Sequence, residues 1–303
     1  MHPYDYYKRE PHFSLEPQKT SSEWLSYKVT FPSAHHNHYQ ENDTACGKYF
    51  TPCTSGRFPL VILLHGLGEK AKKNIVPCRT LARWLARIGI ASFMLELSVP
   101  ASLIDNLLEL FQVLVINTRQ VIDWAESRDK LDTQRVAVVG ISIGGMASSI
   151  AMAVDKRIMG GIFLVAGGNM KNIAWGSSDS GARMGHKCTE SQCYEIYSQY
   201  PRYLADIADR GIENVVPAKE CFLFDPISFE RYLDGRPLLM INSEFDHSVP
   251  RDSTLDFWEA CGRPRVVWLP ANHYNIFLHH NSIRTEATAF LKSTFGMEHE
   301  TER

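Results

Sequence analysis

The chain has 303 residues, a formal net charge of −2, and 44% hydrophobic and 22% charged residues. That length suits one large α/β domain or two small ones, and the near-neutral charge gives no handle for nucleic acid or an anionic membrane. The seven cysteines are odd in number and irregularly spaced, and a core this large needs no disulfides. A reducing compartment is expected, with Cys46/Cys53 and Cys188/Cys193 as the pairs that could bridge after export.

Met1-His2-Pro3-Tyr4-Asp5-Tyr6-Tyr7-Lys8 lacks the apolar centre of a signal peptide, so a cytoplasmic location is expected. Residues 1–25 are polar, contain Pro3, Pro11 and Pro17, and read as an arm on the surface. From Trp24 to Phe31, Leu25, Tyr27, Val29 and Phe31 alternate as in a strand, and Gly47 to Phe50 reads as a second one. Between them, Ser33 to Thr44 is a polar hairpin loop with His35, His36 and His38. No partner carboxylates or ligand spacing accompany these histidines, so a solvated loop is expected rather than a metal site.

Phe58 to Leu64 is a continuous apolar run ending in His65-Gly66, the signature of a buried parallel strand. Pro77 to Ile88 predicts a helix with Leu81, Trp84, Leu85 and Ile88 on one face and Gly89 as its stop. Ile90 to Leu97 is the next strand. Ser102-x-x-Asp105 resembles a capping box, opening a helix to about Arg128 in which Leu103, Leu107, Phe111, Leu114, Thr118, Val121 and Ala125 keep the helical period. Strands follow at Arg135 to Gly140 and Gly160 to Ala166. Val136 to Val154 is uncharged and long enough to suggest a membrane span. It is also rich in Gly, Ser and Ala, and a buried strand feeding a buried helix gives the same hydropathy, so no span is expected.

Gly167 to Gly235 has no βαβ pattern. It is rich in aromatics and admits short helices at Glu190 to Gln199 and Tyr203 to Gly211. A long insertion of this kind reads as a cap or lid with some packing of its own. Alternation then resumes with a strand at Arg236 to Ile241, a helix at Ser253 to Cys261, a strand at Arg265 to Leu269 and a closing helix at Ser282 to Phe295, with Ile283, Ala287, Phe290 and Leu291 on one face. The whole predicts an α/β fold with a doubly wound, mostly parallel sheet. Residues 1–57 supply an arm and leading antiparallel strands, 58–166 and 236–303 the core, and 167–235 the inserted cap.

The chemistry centres on Gly140-Ile141-Ser142-Ile143-Gly144, set between an apolar strand and a small-residue helix from Met146 to Val154. Strand, sharp turn and helix in that order make a nucleophile elbow: the flanking glycines permit the turn, and the serine is held at a helix N-terminus. A serine hydroxyl needs a base. His273, just past the last strand and so at the carboxyl edge of the sheet, is the candidate. His279 and His280 fall near the closing helix, and His247 adjoins the best acid. That acid is Asp246, which follows a strand and precedes Val249-Pro250. Asp225 and Asp234 are alternatives, Asp252 is expected to cap the next helix, and Glu244 sits closer to its strand.

The order Ser142, Asp246, His273, together with His65-Gly66 after a strand and Asp246-x-x-Val249-Pro250, resembles the α/β-hydrolase superfamily, of the serine carboxylesterase and dienelactone-hydrolase-like kind, from about Trp24 to Phe295. The resemblance implies an oxyanion hole from the backbone N–H groups of Ile143 and Leu67, the latter in His65-Gly66-Leu67-Gly68. This loop departs from the triple-glycine type of some lipases, and His65 is expected to be structural. The resemblance also implies hydrolysis of a small-molecule carboxylic ester through an acyl-enzyme, without metal or cofactor. Trp175 and Tyr274 are candidates for the substrate pocket. Cys188 and Cys193 with His186 fit no standard zinc spacing. Thioesterase, lipase and peptidase activities share the fold, although residues 1–57 are too few for the propeller of prolyl-oligopeptidase-like peptidases. A non-catalytic binding module is a separate alternative, opposed by the presence of all three triad residue types.

Overall fold

Runs of small and β-branched apolar residues build one nine-stranded sheet among the described residues. The protein was analysed as a computed structural model, which describes residues 3–8, 12–35, 44–67, 71–96, 106–179 and 187–298, with backbone alone at 71–75. In chain order the strands are β1 (Ser14–Thr20), β2 (Trp24–Pro32), β3 (Thr44–Pro52), β4 (Phe58–Leu64), β5 (Ala91–Glu96), β6 (Leu131–Ile141), β7 (Ile158–Leu164), β8 (Leu238–Ser243) and β9 (Arg265–Leu269). The helices are α1 (Ala71–Arg87), α2 (Leu107–Glu126), α3 (Ile143–Val154), α4 (Met170–Gly176), α5 (Glu190–Tyr197), α6 (Tyr200–Arg210), α7 (Cys221–Phe224), α8 (Arg251–Ala260) and α9 (His280–Thr294).

The sheet runs β1-β2-β3-β5-β4-β6-β7-β8-β9. Pairings from β1 to β5 through β2 and β3 are antiparallel, and those from β5 to β9 are parallel. The chain passes outward from β4 to β5, then returns to place β6 on the other side of β4. This reversal makes a crevice at the carboxyl ends of β4 and β6, where ligands collect in open α/β sheets. Both faces are covered. Val61, Leu63 and Val139 point toward α1 and α9, while Leu60, Ile62, Leu64 and Val138 point toward α2 and α3. That two-sided burial explains why β4 is apolar at every position.

Several details depart from the sequence expectations. Residues 14–20 form an edge strand, paired with β2 through backbone bonds, although nearly all their side chains are exposed. The arm before it is docked: Tyr4 is fully buried, its hydroxyl donates to the Leu223 carbonyl at 2.8 Å, and its ring meets Phe229 edge-on. Helix α1 starts at Ala71 and runs through Pro77, which the sequence suggested as its start. Asn106 caps α2 by accepting from the Glu109 N–H; the Ser102/Asp105 box lies outside the described residues, as do His36, His38 and His186. Asp252 occupies the first turn of α8, and the N-cap position belongs to Pro250.

The described parts of the 167–235 insertion lie on the α2/α3 side. Cys193, Tyr197, Tyr200, Tyr203, Phe222 and Phe224 join the same buried cluster as the sheet residues of that face. Asp225 pins this region by accepting from the N–H groups of Asn169, Met170 and Ile227 and from the Tyr197 hydroxyl. Burial raises its carboxyl, and these donors offset part of that rise. No helix among the described residues is long and apolar enough to cross a membrane. The uncharged stretch from Val136 to Val154 is β6 followed by α3, broken at Ser142.

Candidate active site

Ser142 stands between β6 and α3 at φ 56° and ψ −124°, a backbone region that costs a non-glycine residue of order 1–3 kcal/mol. The surroundings impose it. A Cβ at Gly140 would lie 2.2 Å from the Gly144 carbonyl oxygen, and one at Gly144 would lie 2.6 Å from the carbonyl oxygens of both Leu64 and His65. The turn therefore closes on itself on one side and abuts the end of β4 on the other. The Ser142 N–H donates to the Leu164 carbonyl at 2.8 Å, fixing the turn to β7.

His273 follows β9 in the stretch Ala271-Asn272-His273-Tyr274-Asn275. The Asn272 carboxamide oxygen accepts from the N–H groups of Tyr274 and Asn275, both at 3.0 Å, and the Asn275 side chain accepts from the Asn272 N–H at 2.7 Å. These reciprocal bonds hold the loop so that the largely buried imidazole faces two ways. Its Nδ1 is 2.8 Å from Asp246 Oδ2, and its Nε2 is 3.0 Å from Ser142 Oγ. A carboxylate only accepts, so the proton belongs on Nδ1, which leaves the Nε2 lone pair for the serine proton. The other oxygen of Asp246 accepts from the N–H groups of Ser248 and Val249 at 2.9 and 2.8 Å. Three residues far apart in sequence are thus joined in one hydrogen-bonded line.

A second set of bonds braces this line. Asp179, at the end of the described 177–179 segment, accepts from the Ser248 hydroxyl at 2.8 Å and from the Tyr274 hydroxyl. Burial and the bond to Asp179 both raise the Tyr274 phenol above its ordinary value, keeping it a neutral donor. The Tyr274 ring stands edge-on to His273, with centroids 5.2 Å apart at 79°. Ser177 donates its hydroxyl to the His247 carbonyl at 2.6 Å. The insertion is therefore tied to both the acid loop and the base loop. Asp179 and Ser248 carry no local sequence signal for this role, because it arises where three loops meet.

Ile143 is the first residue of α3, so its N–H has no intrahelical acceptor. Leu67 follows β4, whose last carbonyls touch Gly144. Both backbone positions therefore border the serine. His65 is buried, donates from Nδ1 to the Gly66 carbonyl at 2.8 Å, and is held by burial below the ordinary histidine value, so it stays neutral. Trp175 lies in α4, half-buried against the α2/α3-side core. Asp234 forms an ion pair with Lys156 just before β8, at the sheet edge opposite the serine. Glu244 donates its backbone N–H to the Leu269 carbonyl. His279 ends the short helical turn Ile276–His279, and His280 opens α9. Among the described residues, no group of three or more metal-ligating side chains converges.

No protein-family model matches the sequence, and no curated protein matches it. Solved structures do. The chain is similar to an acetyl xylan esterase from Paenibacillus sp. R4 with a TM-score of 0.63 and 16% identity, over 93% of this chain and 89% of that one. The α/β hydrolase GrgF from Penicillium sp. sh18 gives 0.59 at 15% identity, over 89% and 99% of the two chains. A cold-adapted esterase from an Arctic intertidal metagenomic library gives 0.57 at 13% identity, over 92% and 100%. The chain has the α/β-hydrolase fold.

Proposed function

We propose that this protein is a serine hydrolase that cleaves carboxylic esters of small to medium size through an acyl-enzyme. The observation that carries the reading is the line Ser142 Oγ, His273 Nε2, His273 Nδ1, Asp246 Oδ2, with donor–acceptor distances of 3.0 and 2.8 Å. In the first half-reaction Ser142 attacks the ester carbonyl while His273 takes its proton. Asp246 stabilises the imidazolium, and the alcohol leaves with that proton. In the second half, His273 activates water, which releases the acid and restores Ser142.

Charge developing on the carbonyl oxygen needs donors fixed in advance. The N–H groups of Ile143 and Leu67 are proposed for that role, aided by the positive end of α3. The Ser177–Asp179 end of the insertion borders the site in this reading, and the esterases of the same fold lend support. The test is labelling with a fluorophosphonate and turnover of p-nitrophenyl butyrate, compared with Ser142→Ala. The wild type is expected to label and turn over, and the variant to lose label and about 10⁶-fold in kcat. A wild type that neither labels nor turns over any ester defeats the proposal.

A further inference from the structure

Outside the triad, a cavity of about 420 Å³ lies between α1 and α9, on the sheet face opposite α2 and α3. Its floor is Val139, Ile141 and Leu164, at the carboxyl halves of β6 and β7. Leu81 of α1 forms one wall, and Phe277 and Ile283 form the other. Two chain connections place it beside the triad, whose own three residues are not among those that line it. Ile141 immediately precedes Ser142, and Leu164 carries the carbonyl that accepts the Ser142 N–H. Phe277 lies four residues beyond His273 on the same connection into α9.

We propose that this cavity is the acyl pocket, and that it seats an unbranched aliphatic chain of about eight to twelve carbons on the ester presented to Ser142. The proposal rests on Ser142 being the nucleophile. The size follows from comparison: an apolar cavity of roughly 150 Å³ accommodates benzene, so an acetyl group would leave most of 420 Å³ unfilled. The chemistry follows from the lining. A sugar or a charged chain would need buried hydrogen-bond partners that the aliphatic floor does not offer. The polar lining comes from Thr80, His280 and Arg284, and the Arg284 guanidinium lies over the Trp84 ring at 4.5 Å. Val76 on the cavity wall is itself a large exposed hydrophobic.

The experiment compares kcat/KM on p-nitrophenyl acetate, butyrate, octanoate and decanoate for the wild type, Leu81→Trp and Ile283→Phe. In parallel, decanoate is titrated calorimetrically into Ser142→Ala and into Ser142→Ala with Leu81→Trp or Ile283→Phe. Each buried methylene is worth roughly fourfold at most. Wild-type kcat/KM is therefore expected to rise at least tenfold from acetate to octanoate. The octanoate-to-acetate ratio should fall at least tenfold in Leu81→Trp, a ratio that cancels any general loss of activity. Ile283→Phe tests the opposite wall independently if Leu81→Trp does not fold. Decanoate should bind Ser142→Ala and lose at least tenfold in affinity when either wall is filled. A flat or falling chain-length series, or a ratio unmoved by both variants, overturns the pocket. Absence of turnover and label, with decanoate binding that responds to the wall variants, overturns the hydrolase reading and keeps the ligand class. Absence of both turnover and binding overturns both.

Discussion

Asp246 is held at both oxygens: two backbone N–H groups bind one and the imidazole binds the other. Asp246→Asn would keep the shape but place a donor against Nδ1, selecting the wrong tautomer. A fall in kcat of about 10⁴ is expected, read on p-nitrophenyl butyrate. In the proposed mechanism Tyr274 is a positioning residue for His273. Tyr274→Phe keeps the ring against His273 and removes the bond to Asp179. A loss of about three- to tenfold in kcat with KM nearly unchanged is expected, the size of one hydrogen bond's contribution. A change confined to KM would assign Tyr274 to substrate contact. Gly140→Ala acts differently: its methyl would collide with backbone at 2.2 Å. No rotamer relieves that, so loss of soluble folded protein is expected, read by circular dichroism.

Among the elements, the docked arm contributes most beyond what its composition suggests. Tyr4→Ala would empty a fully buried ring site beside Phe229. It is expected to lower stability by about 3–5 kcal/mol in urea unfolding, as other buried aromatic truncations do. The positions of Ser142, Asp246 and His273 in the fold were legible in the sequence because each follows an apolar strand within a few residues, so period and punctuation locate them. Edge strand β1 was not legible. Its side chains are exposed and alternate with nothing, and its order comes from backbone pairing to β2. The path of α1 through Pro77 was hidden for a related reason: local rules place proline at a helix start, and packing of Cys78, Ala82 and Leu85 against the sheet overrides them. The Asp179 brace was invisible because it is a tertiary meeting with no spacing of its own.

For the molecule as a whole, a charge network at the edge opposite the site sets the response to acid. Arg157 pairs with Asp155, Asp123 and Glu126, and Lys8 of the arm joins Asp123 and Glu126. Burial alone would raise the Asp155 carboxyl, but the Arg157 guanidinium outweighs it and holds the group below its ordinary value of 3.8. A carboxyl depressed in the folded state binds protons more readily once unfolded. Its contribution is therefore complete above the ordinary value and is lost as pH falls through the depressed one. Urea midpoints are expected to be insensitive to this group at neutral pH and to fall steeply below about pH 4. Arg157→Ala should remove much of that steepness and cost about 1.5–3 kcal/mol at pH 7, the worth of a hydrogen bond to a charged group, since Arg119 still reaches Asp155 and Lys8 still reaches Asp123.

The base of the proposed mechanism, His273, follows the outermost parallel strand. β9 pairs only with β8 among the described residues, and His273 just beyond it lies 131 residues of chain away from Ser142. In the proposed mechanism, a partly assembled sheet that already displays Ser142 lacks its base until the last strand closes. In refolding, the return of fluorophosphonate reactivity should trail the return of far-ultraviolet dichroism, serving as a clock for the final docking step. If reactivity and dichroism recover with the same time constant, β9 assembles together with the rest of the sheet.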